Sequence, residues 1–158
     1  MPVIAALLLA SPIAAQGLDP QLATLSTATR INGAPIVDPL FVRAVYAANG
    51  GKLLWTDPAR FASLQKAIAD SVKDGLTPAD YHAAALANFK GSVGERDLLA
   101  TDALVLLADH LRHGKVHPET YDSQWNFGQN GHKPGTPPTQ AEIDRAMVII
   151  NAPDVAAA

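Results

Sequence analysis

Three histidines form the most conspicuous group of residues that could do chemistry. His110 and His113 lie three residues apart on a predicted helix, and His117 follows just beyond the end of that helix. Histidines at this spacing share a helix face and could bind zinc, although a zinc site usually includes a carboxylate or a cysteine as well. A histidine in the last helical turn is also explained by the helix dipole, and His110 by packing beside leucines. We therefore predict no metal and no cofactor.

Two carboxylates of the same predicted helix, Asp102 and Asp109, share a face because they are seven residues apart. A rise of ~1.5 Å per residue separates their backbones by about 10.5 Å, beyond the usual spacing of a glycosidase acid–base pair. A pairing of Asp109 with Arg112 or His113 along the helix is the simpler use. The chain also lacks cysteine, so it has no thiolate nucleophile and no disulfide. The sequence predicts no catalytic residue.

An aromatic group lies in a long predicted loop, residues 115–138, which is rich in proline and glycine. Its members are Tyr121, Trp125 and Phe127. A loop of this length is often functional or is held in place by its own aromatic side chains. We predict that these three residues anchor the loop to the body. Stacking against a sugar or a peptide is the alternative role.

Composition excludes several classes of protein. The chain has 158 residues, of which 48% are hydrophobic, and its net charge is −3. That apolar fraction is too high for a wholly disordered chain. There is no run of Lys or Arg, and an acidic balance argues against nucleic-acid binding. Alanine is the commonest residue, which favours closely packed helices.

The N-terminus resembles an export signal. Residues 3–15 form a mostly apolar run that is too short to span a bilayer and that ends in small residues. We predict a signal peptide over residues 1–15, cleaved near Ala15, and a periplasmic location. The run is preceded by no Lys or Arg, so an upstream start or a buried helix stays open as an alternative. No later stretch has the length of a transmembrane segment.

Start and stop signals predict five helices. Each begins at a capping residue or a proline and ends near a glycine, an asparagine or a proline. The predicted helices cover residues 39–48, 58–74, 78–89, 95–113 and 140–150. A short helix near Gln21–Leu25 is possible, and the last residues, 154–158, resemble the first turn of a further helix.

Apolar spacing within these segments predicts which faces are buried. The residues expected to face the core include Phe61, Leu64, Ile68 and Val72 of the second helix, Leu98 to Leu111 of the fourth, and Ile143, Met147, Val148 and Ile150 of the last. The fourth helix is apolar around most of its circumference, which is typical of a central helix. Trp55 is predicted to pack in the core.

The resulting fold prediction is an all-α domain. We expect a compact body of about five to six helices, one long ordered loop and no significant sheet. The predicted organisation is a signal peptide (1–15), an irregular segment (16–37) and a helical domain (38–158) that is incomplete at its C-terminus.

Five segments in order are similar to the N-terminal scaffold domain of large periplasmic L,D-transpeptidases, the enzymes that cross-link peptidoglycan. The resemblance covers about residues 38–158. It is carried by Val45-Tyr46 with Leu54-Trp55-Thr56-Asp57, by Asp74-Gly75-Leu76-Thr77-Pro78-Ala79-Asp80-Tyr81-His82, by Asp97-Leu98-Leu99-Ala100-Thr101-Asp102-Ala103-Leu104, by Asp109-His110-Leu111-Arg112-His113-Gly114-Lys115-Val116-His117-Pro118, and by Trp125-Asn126-Phe127.

The resemblance implies a non-catalytic scaffold that positions catalytic and peptidoglycan-binding domains of the same family at the cell wall. The nucleophile of that family is a cysteine in an S-H-G-C-x-R motif, so a full-length parent would be a cysteine enzyme while this chain would not. The family's scaffold continues past residue 158, which implies a truncated chain. The alternative is a free-standing helical envelope protein that binds a partner or peptidoglycan through Tyr121, Trp125 and Phe127.

Trp125→Ala tests the anchoring role of the aromatic group. Ordering a loop costs roughly 1–2 kcal/mol per residue, and Trp125 is the largest apolar side chain available to offset that cost. We expect the variant to be cut faster by trypsin after Lys115, with unchanged far-ultraviolet circular dichroism. Equal protease resistance in variant and parent would instead favour a ligand-binding role for Trp125.

Overall fold

Helix α5 (Val93–His113) runs through the centre of the fold, and the other helices pack around it. The structure is a computed structural model that describes residues 18–115 and 131–157. The predicted signal peptide, His117 and the aromatic group of Tyr121, Trp125 and Phe127 lie outside these residues. The remaining elements are α1 (Asp19–Thr24), β1 (Arg30–Ile31), β2 (Ala34–Pro35), α2 (Pro39–Ala48), α3 (Pro58–Asp70), α4 (Ala83–Ala87) and α6 (Gln140–Asn151), with 3₁₀ turns at Ser71–Asp74, Pro78–Tyr81 and Val155–Ala157.

Local capping signals set the starts of the main helices. The Asp38 carboxylate accepts from the backbone N–H of Phe41 at the start of α2, and Asp57 accepts from Ala59 at the start of α3. Helix α6 begins with the predicted capping box, in which Thr139 and Glu142 bond each other's backbone N–H. Ser92 and Glu95 form the same motif in α5. The all-α prediction is confirmed, and the small β1–β2 hairpin is the only sheet within the described residues.

The predicted helix over residues 78–89 is wrong. The segment is split into the 3₁₀ turn Pro78–Tyr81 and the short helix α4, because His82 between them adopts a left-handed conformation with φ of 58°. A non-glycine residue in this region is uncommon and is held there by its surroundings. The contacts of the His82 side chain, given below, supply that reason.

Three residues predicted to be buried are exposed. Val72 is 56% exposed because α3 ends at Asp70 and tightens into a 3₁₀ turn that changes the phase of the apolar stripe. Leu111 is 50% exposed on the last turn of α5, and Val148 is 70% exposed on α6. Helical spacing alone does not specify how far neighbouring elements cover a helix face.

Residues 18–37 are more regular than the sequence suggested. They form α1, in the region of the possible short helix, and the β1–β2 hairpin, whose turn Asn32-Gly33 has positive φ at both residues. Ile31 and Ile36 are buried in the same core as the helices. The guanidinium of Arg43 in α2 donates to the carbonyl of Leu22 at 2.9 Å and so holds the end of α1.

The core is built mainly from one apolar helix and the faces that surround it. In α5, residues 97–107 are all buried, while α2, α3 and α6 each contribute one face. Trp55 is completely buried, as predicted. None of the helices that the structure describes has both the length and the apolar character needed to cross a membrane.

Leu107→Ala tests the central position of α5. Leu107 is 2% exposed, so the truncation leaves a cavity and should lower the free energy of unfolding by about 2–5 kcal/mol. Leu111→Ala, on the same helix but half-exposed, is the matched control and should cost less than about 1 kcal/mol. Urea denaturation followed by circular dichroism measures both. Equal losses in the two variants would contradict the helix phase described here.

Candidate functional site

The carboxylate of Asp97 is buried inside the apolar part of the fold. It is 1% exposed and accepts from the backbone N–H groups of Leu54 and Trp55, both at 2.8 Å, and from the Tyr46 hydroxyl. A buried carboxylate is tolerated when donors surround it, because ionised groups are costly without such partners. Asp97 thus joins α5 to α2 and to the connector between α2 and α3.

Thr101, one turn further along α5, extends this cluster. The indole Nε1 of Trp55 donates to the Thr101 hydroxyl at 3.0 Å, and the Tyr46 hydroxyl lies 3.0 Å from the same oxygen. Burial and the nearby Asp97 carboxylate raise the pKa of Tyr46 well above its ordinary value, so the phenol stays protonated and remains a donor. The polar ends of Trp55 and Tyr46, two of the three largest fully buried side chains, are thereby satisfied.

Asp102 contacts two other parts of the chain, namely residues 37–38 before α2 and His82 before α4. It accepts from the backbone N–H groups of Val37 at 3.1 Å and Asp38 at 2.9 Å, and the Nε2 atom of His82 lies 2.7 Å from it. Both side chains are almost fully buried. The inward-facing imidazole explains why His82 adopts the left-handed conformation that interrupts the predicted helix.

Asp109 contacts the segment that precedes α6, at His132. Its Oδ1 atom accepts from the backbone N–H of His132 at 2.8 Å and lies 2.8 Å from Nδ1 of His113. A Cβ atom on Gly131 would lie 2.9 Å from both Asp109 carboxylate oxygens, so the backbone passes close to this carboxylate and a larger residue would have to displace it. The predicted pairing of Asp109 with His113 along the helix is confirmed.

We call Asp97, Asp102 and Asp109 the anchor carboxylates. All three project from α5, and each accepts at least one backbone N–H from a segment distant in sequence. Their acceptor atoms are used to bind residues 54–55, 37–38 and 132. The arrangement fixes these segments on a central helix.

Of the histidines that suggested a metal site, His110 and His113 are among the described residues, and they contact different partners. Nδ1 of His110 lies 2.9 Å from the Tyr81 hydroxyl, while His113 contacts Asp109. Within residues 18–115 and 131–157, no cluster of histidine and carboxylate side chains has the arrangement of a metal site. Asp102 and Asp109 do share one helix, but they hold different segments.

Sequence reasoning missed Asp97 and His82. A signal for Asp97 was present, since an aspartate followed by two leucines interrupts the most apolar helix of the chain. Carboxylates are rarely fully buried unless they are paired, so such a residue indicates an internal anchor. His82 had no comparable signal, because its role depends on a backbone conformation that only the packed structure imposes.

A partly open groove of about 420 Å³ lies between α3, α5, α6 and the turn Val155–Ala157. Its walls are mainly apolar, and its charged residues include two acids from the region of α3 and two arginines from α5 and α6. Residues that define it are Leu104, Leu107, Ala146, Ile149, Asp70, Asp74, Arg112 and Arg145. The groove offers a packing surface to which Asp109 contributes, whereas Asp97 and Asp102 lie beneath the surface.

Comparison with known proteins gives one family match. Residues 41–158 match the family model described as "Scaffold domain". Neither the curated proteins nor the solved structures yield a match. The matched range includes all three anchor carboxylates and every described helix from α3 onward.

Asp97→Asn tests the anchoring role. The amide keeps one acceptor oxygen but turns an NH₂ group towards a buried donor, so we expect a loss of about 3–5 kcal/mol in the free energy of unfolding. Asp144→Asn, on the exposed face of α6, is the control and should change stability by less than about 0.5 kcal/mol. Urea denaturation with near-ultraviolet circular dichroism of the aromatic cluster is the measurement. A near-neutral Asp97→Asn would contradict the anchoring role.

Proposed function

This chain belongs to the scaffold-domain family, and we propose that it is the non-catalytic scaffold of a peptidoglycan L,D-transpeptidase. The observation that carries the proposal is the family match over residues 41–158, most of the chain. The five segments that resemble the scaffold of those enzymes supply the finer assignment. We further propose a periplasmic location, in which the scaffold positions catalytic and peptidoglycan-binding domains at the cell wall.

The way the fold is held together supports a scaffold role. A platform for other domains must keep its loops in fixed positions, and the chain has no cysteine with which to form disulfides. Instead, the anchor carboxylates bind distant backbone segments to one rigid helix. Charge-assisted hydrogen bonds of this kind are stronger than neutral ones and are directional.

Separating the scaffold from the chemistry tests the proposal. The purified chain is first incubated with muropeptides alone. It is then incubated with muropeptides and a separately produced, cysteine-bearing catalytic domain from one of the large L,D-transpeptidases that the chain resembles. We expect no product from the chain alone, because the family's chemistry uses a thiolate nucleophile. We expect the chain to raise the yield of cross-linked products from the catalytic domain, as measured by mass spectrometry.

Two variants make this test specific. Asp97→Asn, which loosens the anchor, should lose the stimulation at temperatures where part of it is unfolded, while Asp144→Asn should retain it. Cross-linked or trimmed products from the chain alone would overturn the proposal. No stimulation, together with stoichiometric sedimentation of the chain with purified peptidoglycan, would favour a free-standing peptidoglycan-binding protein instead.

A further inference from the structure

An open cavity of about 450 Å³ lies between α3, α4 and the start of α5, and it is separate from the groove described above. Among the described residues, Arg96 is the only charged side chain that lines it. We call this space the Arg96 cavity. The residues that define it are Phe61, Gln65, Leu86, Phe89, Val93 and Arg96. It therefore combines one cation with several apolar walls.

The guanidinium of Arg96 has an aromatic partner but no anionic one within the described part of the chain. Its central carbon lies 4.8 Å from the centroid of the Phe61 ring. Its Nε atom is buried without a hydrogen bond, and no described carboxylate pairs with the group. A ring face stabilises a cation and covers one side of the planar group, but the N–H donors along its edge still need acceptors. Arg96 therefore presents its charge at the cavity without a countercharge.

The carboxylate next to Arg96 in the sequence is bound elsewhere. Oε2 of Glu95 accepts from the backbone N–H and from the hydroxyl of Ser92, both at 2.8 Å, within the capping box of α5. These hydrogen bonds lower the pKa of Glu95, so the group stays ionised at the start of the helix. Its charge offsets the positive end of the helix dipole there. Arg96 is therefore the group that attracts an anion to the cavity.

Gln65 and Phe89 complete the cavity. Gln65 lies four residues after Phe61 and so on the same face of α3. Its amide makes no hydrogen bond with the described residues, so it can donate to a ligand. The Phe89 ring is folded over the backbone at Gly91, where a Cβ atom would lie 2.9 Å from the ring. Val93, which lines the same cavity, is 55% exposed. Apolar surface thus lies next to polar donors.

We propose that the Arg96 cavity binds the C-terminal carboxylate of a short peptide whose last side chain is apolar. The planar fork of a guanidinium matches a carboxylate through two parallel hydrogen bonds. Gln65 donates a further hydrogen bond, and Phe89 and Val93 contact the apolar side chain. A phosphate ion is the weaker ligand, because it carries more charge than one arginine balances and the apolar walls offer it no donors. This site goes beyond the scaffold role and does not depend on it.

Nuclear magnetic resonance titration of the isotope-labelled whole chain tests the site. The probes are N-acetyl-alanyl-leucine and its C-terminal amide, which differ only in the last group, and inorganic phosphate. We expect the acid to shift the backbone amide signals of residues 61–65 and 89–96 in a saturable manner. Its Kd should be about tenfold lower than that of the amide, because only the acid forms charge-assisted hydrogen bonds with the guanidinium. Phosphate should bind more weakly than the acid.

Two variants make the titration specific. Arg96→Gln removes the charge and should abolish the preference for the acid over the amide. Arg145→Gln is the matched control, because it removes an exposed arginine of α6 that lies outside the cavity, and it should keep the preference. Equal Kd values for acid and amide, an unchanged preference in Arg96→Gln, or no saturation up to about 10 mM acid would overturn the proposal.

A further measurement decides the matter if Arg96→Gln does not fold. In the parent chain, the largest shifts caused by the acid must then lie at residues 61–65 and 89–96, and Gln65→Ala must weaken the binding of the acid. Shifts centred on other residues, or unchanged binding in Gln65→Ala, would reject the site. Phosphate that binds more tightly than the acid would also reject it.

Discussion

Buried carboxylates on the central helix are the constraint on which the rest of this structure depends. An aspartate inside an apolar core is stable only if donors surround it, because an unpaired buried charge costs several kcal/mol. Asp97 and Asp102 meet this requirement with backbone N–H groups from the connector at residues 54–55 and from residues 37–38. Any displacement of those segments would uncover a buried charge. The carboxylates thus specify where the loops lie as well as how tightly they are held.

The same constraint explains how a cysteine-free chain can keep irregular segments in place. Backbone segments have orphan N–H groups that must be satisfied wherever they are buried. In this fold a few aspartates on α5 accept from such N–H groups. The same helix therefore supplies much of the apolar core and also the acceptors that hold the irregular segments. This design suits the proposed scaffold role, since a platform has to present loops and helix ends at fixed positions. The partly open groove beside α5 is bounded by elements held in this way.

Polar contacts at the edge of the core differ in character from those at its centre. Asp97 and Asp102, at the centre, each accept from two backbone N–H groups of a segment distant in sequence. The pair formed by Asp38 and His132 joins two side chains at the edge of the core, with His132 also against the Phe41 ring of α2. The centre is therefore fastened through backbone donors, whereas the edge is fastened through a pair of side chains.

The sequence by itself determined the features that depend on near neighbours along the chain. Asp38-Pro39, Asp57-Pro58 and the pair Thr139 and Glu142 start helices through contacts within one turn, so their patterns predicted the starts of α2, α3 and α6 correctly. The apolar run in α5 predicted a central helix for the same reason. These signals are local, because the interacting groups lie within a few residues of each other in the sequence.

Only the tertiary structure decided the features whose energy comes from distant partners. His82 takes a left-handed conformation because its imidazole contacts the buried carboxylate of Asp102, twenty residues later in the sequence. Leu111 stays half-exposed because neighbouring elements leave the last turn of α5 partly uncovered, although its helical spacing matches that of buried Leu107. Asp97 becomes an anchor only when residues 54–55 are brought to it. Helical periodicity gives the face on which a side chain lies, but burial and pairing depend on what packs against that face.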